Sequence, residues 1–254
     1  MKEVIVIGAG NLAWHLVQVL SQAGHDVSLV SRDPGRVAEW PVRVIPMEDL
    51  PAQPSLVFLA VPDNAINRVS AHLSQLLPSD VPVVHTSGAT PAIMIHSHFE
   101  HRGALWPIRS LRAGEEVTDW QDVPLVYYGT SAALTQVLGE LAGKLSQLSY
   151  LLDDQQRAQL HLSAVFSNNF VTWLYQISYE LCEQSGIPFD ILLPIIRNTA
   201  LKQDGTAPRL SQTGAAARGD TITMNRHLEL LNSQPEYADL YRRMSHFIQS
   251  GVPS

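Results

Sequence analysis

Short uninterrupted runs of aliphatic and β-branched residues recur through the first 152 positions, and most of them close on glycine or proline. Residues 3–8, EVIVIG, read as a strand buried on both faces, because the run does not alternate with polar positions. Residues 11–24, NLAWHLVQVLSQAG, space their apolar side chains as a helix does and stop at Gly24. The same reading gives strands in HDVSLVSRD (25–33), PVRVIP (41–46), SLVFLAVP (55–62), VPVVHTSG (81–88), VPLVYYG (123–129) and LSYLL (148–152). Helices fall between them in INRVSAHLSQLL (66–77) and SAALTQVLGELAGKLSQ (131–147). Strands alternating with helices predict an α/β fold with a doubly wound parallel sheet of the Rossmann type.

The pattern changes at Leu152-Asp153-Asp154. From there to residue 254 the periodicity is helical throughout, with no convincing strand. Residues 153–186 form one long helical stretch, open to a break, whose two leading aspartates suit a helix N-terminus. Shorter helices are expected in 191–203, 227–234 and 236–249. Two domains follow: a Rossmann domain over 1–152 and an all-α domain over 153–254.

Composition narrows the class of partner. Seventeen basic against twenty-four acidic residues leave a formal charge of −7. That balance disfavours a nucleic-acid backbone or an anionic membrane while leaving room for a local phosphate site. The single cysteine, Cys182, excludes an intrachain disulfide and fits a reducing, cytoplasmic compartment. It reads as an ordinary helix residue. The apolar runs are too short to span a bilayer, and no targeting segment is expected before a strand that begins at residue 3.

Gly8-Ala9-Gly10-Asn11-Leu12-Ala13 lies between the first strand and the first helix, where a dinucleotide fingerprint belongs. Gly8 allows the tight turn, and Gly10 lets the backbone approach a pyrophosphate. Ala13 permits close helix–strand packing. The helix N-terminus, at Asn11 and Leu12, offers N–H groups to phosphate oxygens. At the end of the second strand stand Ser31 and Arg32 in place of the carboxylate that binds the ribose 2′-hydroxyl of NAD. A guanidinium and a hydroxyl suit a 2′-phosphate, so the expected cofactor is NADP. The alternative has Asp33 in the acidic role and Arg32 solvated. Val61, Pro62 and Ser87 end two further strands and should line the same crevice, while His85 reads as a buried structural histidine.

GAGNLA, LAVPD and HTSGA together resemble the Rossmann half of the β-hydroxyacid dehydrogenase and deazaflavin-dependent NADP oxidoreductase superfamily. HLSAVFSNNF, GIPFDILLPIIRNTALK, QTGAAARGD and the following His227 resemble a Rossmann-like family of NADP oxidoreductases whose C-terminal domain has no assigned function. The resemblance covers nearly the whole chain. It implies a helical domain similar to the dimerisation domain of 6-phosphogluconate dehydrogenase, and hence a homodimer. Two departures stand out: Ala215 replaces a proline before Arg-Gly-Asp, and Trp106-Pro107 stands where the family tends to have His-Pro.

Candidate chemistry concentrates on the first helix after residue 152. His161, Asn168 and Asn169 are spaced by about two turns and can share a face. Hydride transfer to a carbonyl or imine needs a proton donor and a positioning group, which His161 and Asn169 could supply in a cleft between the domains. The opposing reading has His161 on the helix surface and the asparagines capping or kinking it. Lys202, Arg218 and Asp220, the last two in a Gly/Ala-rich loop, could hold an acidic substrate or close a dimer. No metal site is expected. Two functions remain: an NADP-dependent reductase or dehydrogenase of a small carbonyl, imine or hydroxy acid, and a non-catalytic NADP-binding sensor or scaffold.

Overall fold

The computed structural model describes residues 3–115, 117 and 119–251. It divides into two compact units, residues 1–168 and 169–254.

The first unit is built on one eight-stranded sheet in the order β3-β2-β1-β4-β5-β6-β7-β8. Its strands are β1 (Val4–Ile7), β2 (Val27–Val30), β3 (Arg43–Ile45), β4 (Leu56–Leu59), β5 (Val83–His85), β6 (Arg102–Pro107), β7 (Leu125–Gly129) and β8 (Ser149–Leu151). Pairing is parallel from β3 through β6 and again between β7 and β8; β6 and β7 pair antiparallel. The α/β Rossmann architecture expected from the alternation is therefore present, with one antiparallel pair inside it. The sequence reading lacked β6. Its segment, RGALWP, carries a charge, a glycine and a proline, all poor strand signals. Gly103 is nonetheless required there: a Cβ would lie 2.6 Å from the Tyr128 carbonyl of the paired strand.

β1 shows why such strands read as continuous apolar runs. Val4 and Val6 join a core with helix α1 (Asn11–Gln22) and helix α3 (Ala132–Leu145). Ile5 and Ile7 point the other way, into a core with helix α2 (Ile66–Leu73). Both faces are covered, so no position is free to be polar. β1 pairs with β2 on one side and β4 on the other, and the chain order reverses there. Ligands of open α/β sheets bind in the crevice outside the strand ends at such a point.

Helix α4 (Asp154–Ala164) follows β8 directly. Asp153 caps it, accepting the Gln156 N–H, while the Gln156 side chain accepts the Asp153 N–H. The long helical stretch then passes through a π-helical segment, Val165–Phe170, into α5 (Val171–Gln184). The second unit continues with α6 (Leu193–Leu201), the single turn α7 (Ala215–Arg218), α8 (Thr221–Leu230) and α9 (Pro235–Ser250). Among its described residues only Leu231, Ala238 and Ser245 are buried. No described helix is long and apolar enough to cross a membrane.

Candidate functional site

The turn after β1 is shaped by two glycines with different jobs. Gly8 has φ +139°, and a Cβ there would lie 2.1 Å from the Ala60 carbonyl at the end of β4. Only glycine lets the two strand ends approach this closely. At Gly10 a Cβ would meet nothing within 4 Å, so the space over the turn is open. Gly10 is the N-cap of α1, and no side chain caps that helix. Its first-turn N–H groups are thus left for a ligand, and the positive end of the helix favours an anion.

Asn11, at the start of α1, accepts the N–H of Ala113 through its side-chain oxygen. One turn on, the buried His15 donates from Nε2 to the Arg112 carbonyl. Burial is the main reason its pKa lies below the ordinary value. These two bonds fasten the loop after β6 beside the fingerprint turn. Leu12 is half-buried and packs against the core. At the end of β2 the Ser31 hydroxyl donates to the Asp33 carbonyl and accepts the Asp33 N–H. The Asp33 carboxylate caps the next turn by accepting the Arg36 N–H. Arg32 is exposed and forms no ion pair among the described residues.

Val61 and Pro62 end β4 at the same edge, half-buried and exposed respectively. The Ser87 hydroxyl, past the end of β5, donates to Asp63 Oδ2 at 2.6 Å and accepts the N–H groups of Ala89 and Thr90. The Thr90 hydroxyl donates to the same Asp63 oxygen at 2.9 Å. All three hydrogen-bonding positions of Ser87 are filled within the protein. His85 is fully buried; its Nδ1 accepts the Ser87 N–H. Nε2 has no well-aligned partner, although the Pro91 carbonyl is near enough to favour a proton. Burial, aided by the Arg157 guanidinium, lowers the His85 pKa to about 4, so the ring is neutral at physiological pH.

His161 lies over the loop that follows β5. Its ring sits 5.3 Å from that of Trp106 between centroids, tilted by 35°. A Cβ on Gly88 would fall 2.3 Å from His161 Cδ2 and 2.7 Å from Trp106 Cε2. The third glycine of the site therefore clears room for an imidazole–indole stack, and Trp106, from β6, is the floor on which His161 rests. Asn168 and Asn169 fall in the π-helical segment. The wider π turn rotates residues differently from the α spacing, so the shared face argued at 100° per residue does not carry over unchanged.

The second unit holds the other candidates. Lys202 follows α6 and is exposed, and Arg218 ends α7, also exposed. Asp220 caps α8, accepting both the N–H and the hydroxyl of Thr223 at 3.0 and 2.7 Å. Those bonds hold its carboxyl below the usual range. His227 pairs through Nδ1 with the Tyr241 hydroxyl at 2.8 Å. No metal-binding cluster of His, Cys, Asp or Glu occurs among the described residues.

Sequence reasoning missed Asp63, Gly88, Thr90 and Arg157, and took Asp154 only as a residue suited to a helix N-terminus. Gly88 was in view only as the end of HTSG. Asp63 and Thr90 meet through their side chains across more than twenty positions, and Asp154 and Arg157 reach backbone groups of residues 92 and 90; residue type does not reveal such bonds.

Residues 3–87 match the family model described as NADP oxidoreductase, coenzyme F420-dependent, and residues 123–248 match a domain of unknown function. No curated protein is significantly similar in sequence. Among solved structures, the chain is similar to a candidate NADP oxidoreductase from Bacteroides fragilis, with 29% identity over 98% of both chains and a TM-score of 0.88. It shares its fold with a Thermotoga maritima protein, at 20% identity and TM-score 0.73 over 97% of this chain and 96% of that one. It also shares it with an imine reductase from Myxococcus stipitatus in complex with NADP+, at 16% identity and TM-score 0.70 over 98% and 94%. Residues 3–87, the first third of the chain, thus carry an NADP-oxidoreductase signature, and the whole length follows a fold on which such proteins are built.

Proposed function

We propose that this protein is an NADP(H)-dependent oxidoreductase acting on a small carbonyl, imine or hydroxy-acid substrate. The observation that carries the reading is the position of His161: stacked on Trp106, over Gly88, just outside the carboxyl end of β5. That is the part of the crevice toward which a dinucleotide held at Gly8–Ala13 extends its nicotinamide. The residues present fit the cofactor. The turn at Gly10 is open, α1 is uncapped, and Arg32 has its guanidinium free of described ion pairs for a 2′-phosphate.

When bound, NADPH supplies the hydride. The chain must then supply the proton that the carbonyl oxygen or imine nitrogen takes up, and His161 is the titratable group in place for it. Asn169, with Asn168, orients the substrate; Lys202 and Arg218 supply positive charge for an acidic substrate, and Asp220 serves that set by capping α8 beside Arg218. The imine reductase that shares the fold makes C=N compounds a natural first substrate class to try. In this reading residues 1–152 hold the cofactor and residues 153–254 serve substrate binding and homodimerisation, in a cytoplasmic protein.

The test is NADPH consumption with a panel of cyclic imines and 2-oxo acids, and NADP+ reduction with hydroxy acids. Turnover should fall by about 10²-fold or more in His161→Gln, with NADPH binding retained. NADPH binding without turnover on any member of the panel would favour the sensor. Failure to bind NADPH would reject both.

A further inference from the structure

Asp154, Arg157 and His161 lie on one face of α4: at 3.6 residues per turn they fall within about 60° of each other around the axis. Each meets a different point of the loop after β5. The Asp154 carboxylate accepts the Ala92 N–H, at 3.1 and 3.0 Å to its two oxygens. Arg157 Nη2 donates to the Thr90 carbonyl at 2.5 Å and to Asp154 Oδ1 at 2.7 Å. His161 fills the space that Gly88 leaves open. Going up the helix, the partners come in descending order: residues 92, 90 and 88. The loop therefore runs antiparallel to α4, held at three points about one helical turn apart.

The middle point is unusual. The Arg157 side chain is fully buried, and its Nε and Nη1 have no hydrogen-bond partner among the described residues. A buried guanidinium is costly to hold, so stability alone gives little reason for an arginine here. A charged fork joining one carbonyl to one carboxylate does, however, define a register, as buried ionic groups can. Slipping α4 by a turn would strand the charge and drive another side chain against Gly88.

We propose that Asp154 and Arg157 are positioning residues, which lock the register of α4 against residues 88–92 and so place the His161 imidazole on Trp106 at the end of β5. The catalytic meaning of that placement rests on the oxidoreductase reading, but the placement itself can be measured without cofactor or substrate. Stacking on an indole shifts imidazole resonances upfield. The His161 signal is identified by its loss in His161→Gln.

In Arg157→Met, which keeps much of the volume, the His161 ring resonance should move toward the position of an exposed histidine. NADPH affinity should stay within about threefold, because the fingerprint turn is untouched. Should Arg157→Met fail to fold, Asp154→Asn and Asp154→Ala give a graded series. The amide can still accept the Ala92 N–H, so the shift should be partial in Asn and larger in Ala. Lowered thermal stability with an unmoved His161 signal would show a merely structural clamp and overturn the proposal. Absence of NADPH binding in the unsubstituted protein would count against the oxidoreductase reading alone.

Discussion

At the scale of single residues, two side chains make opposite kinds of prediction. Arg32 is exposed and contributes to no described ion pair, so its removal should leave the fold alone. Arg32→Ala should weaken NADPH by about 1–3 kcal/mol, the scale of a charged hydrogen bond, and hardly change NADH. Fluorescence titration with both nucleotides reads this directly; equal losses would mean that the 2′-phosphate is held elsewhere. His85 is buried, and its effect is on stability. Its folded-state pKa of about 4 lies below the ordinary 6.5, so the unfolded chain takes up the proton first as pH falls. Stability is complete above about pH 6.5 and declines as pH drops toward 4, by about 3 kcal/mol over that window. Denaturant unfolding at a series of pH values should show this slope, and His85→Gln should flatten it by about one proton. If the two slopes were the same, His85 would not be the neutral buried group described. The sequence marked His85 as structural but could not show that burial, aided by Arg157 seventy-two positions away, keeps it neutral.

At the scale of elements, the fingerprint turn separates folding from binding. Gly8→Ala places a Cβ 2.1 Å from the Ala60 carbonyl at a φ of +139°, so β1 and β4 must part and the protein should be severely destabilised. Gly10→Ala meets nothing within 4 Å and keeps an ordinary φ of −91°. Its unfolding free energy should change by less than about 1 kcal/mol, yet its NADPH affinity should drop at least about tenfold. Calorimetry and nucleotide titration on the same two variants would decide it. A Gly10→Ala protein that bound NADPH normally would remove the pyrophosphate from this turn. These elements were legible because the fingerprint ties residue type to local geometry. Both-face burial likewise makes β1 and β4 read as unbroken apolar runs. β6 was not legible, since Gly103 serves close packing against β7 and α3 rather than strand propensity, and Pro107 ends the strand. The π segment was not legible either: VFSNNF has the composition of an ordinary helix, and only its hydrogen bonding tells it apart. The contacts that order α4 against residues 88–92 go largely through backbone groups, which leave no mark on side-chain periodicity.

At the scale of the whole molecule, the two compact units differ in what they bury. The sheet is closed on both faces by α1, α2 and α3. In residues 169–254 only three described side chains are buried, while Leu201, Leu210 and Leu230 are 83%, 82% and 78% exposed. Trp173, Ile191, Ile195 and Ile222 are also largely exposed. A helical unit stabilised by so little interior cannot offset the entropy of ordering its own chain. Apolar surface on this scale marks an association site. A second copy of the same chain is the simplest partner, because a two-fold interface lets each unit cover the other's exposed face. The protein should therefore run as a dimer, at twice the 28.0 kDa of one chain, in light scattering and sedimentation. Because burial in the helical unit would then depend on association, its unfolding midpoint should rise with protein concentration. Leu201→Asp combined with Leu210→Asp should shift the equilibrium toward monomer and loosen the helical unit, while the Rossmann core keeps its NADPH affinity. A monomer that persists at high concentration, with a midpoint independent of dilution, would show that the exposed helices are stable without a partner.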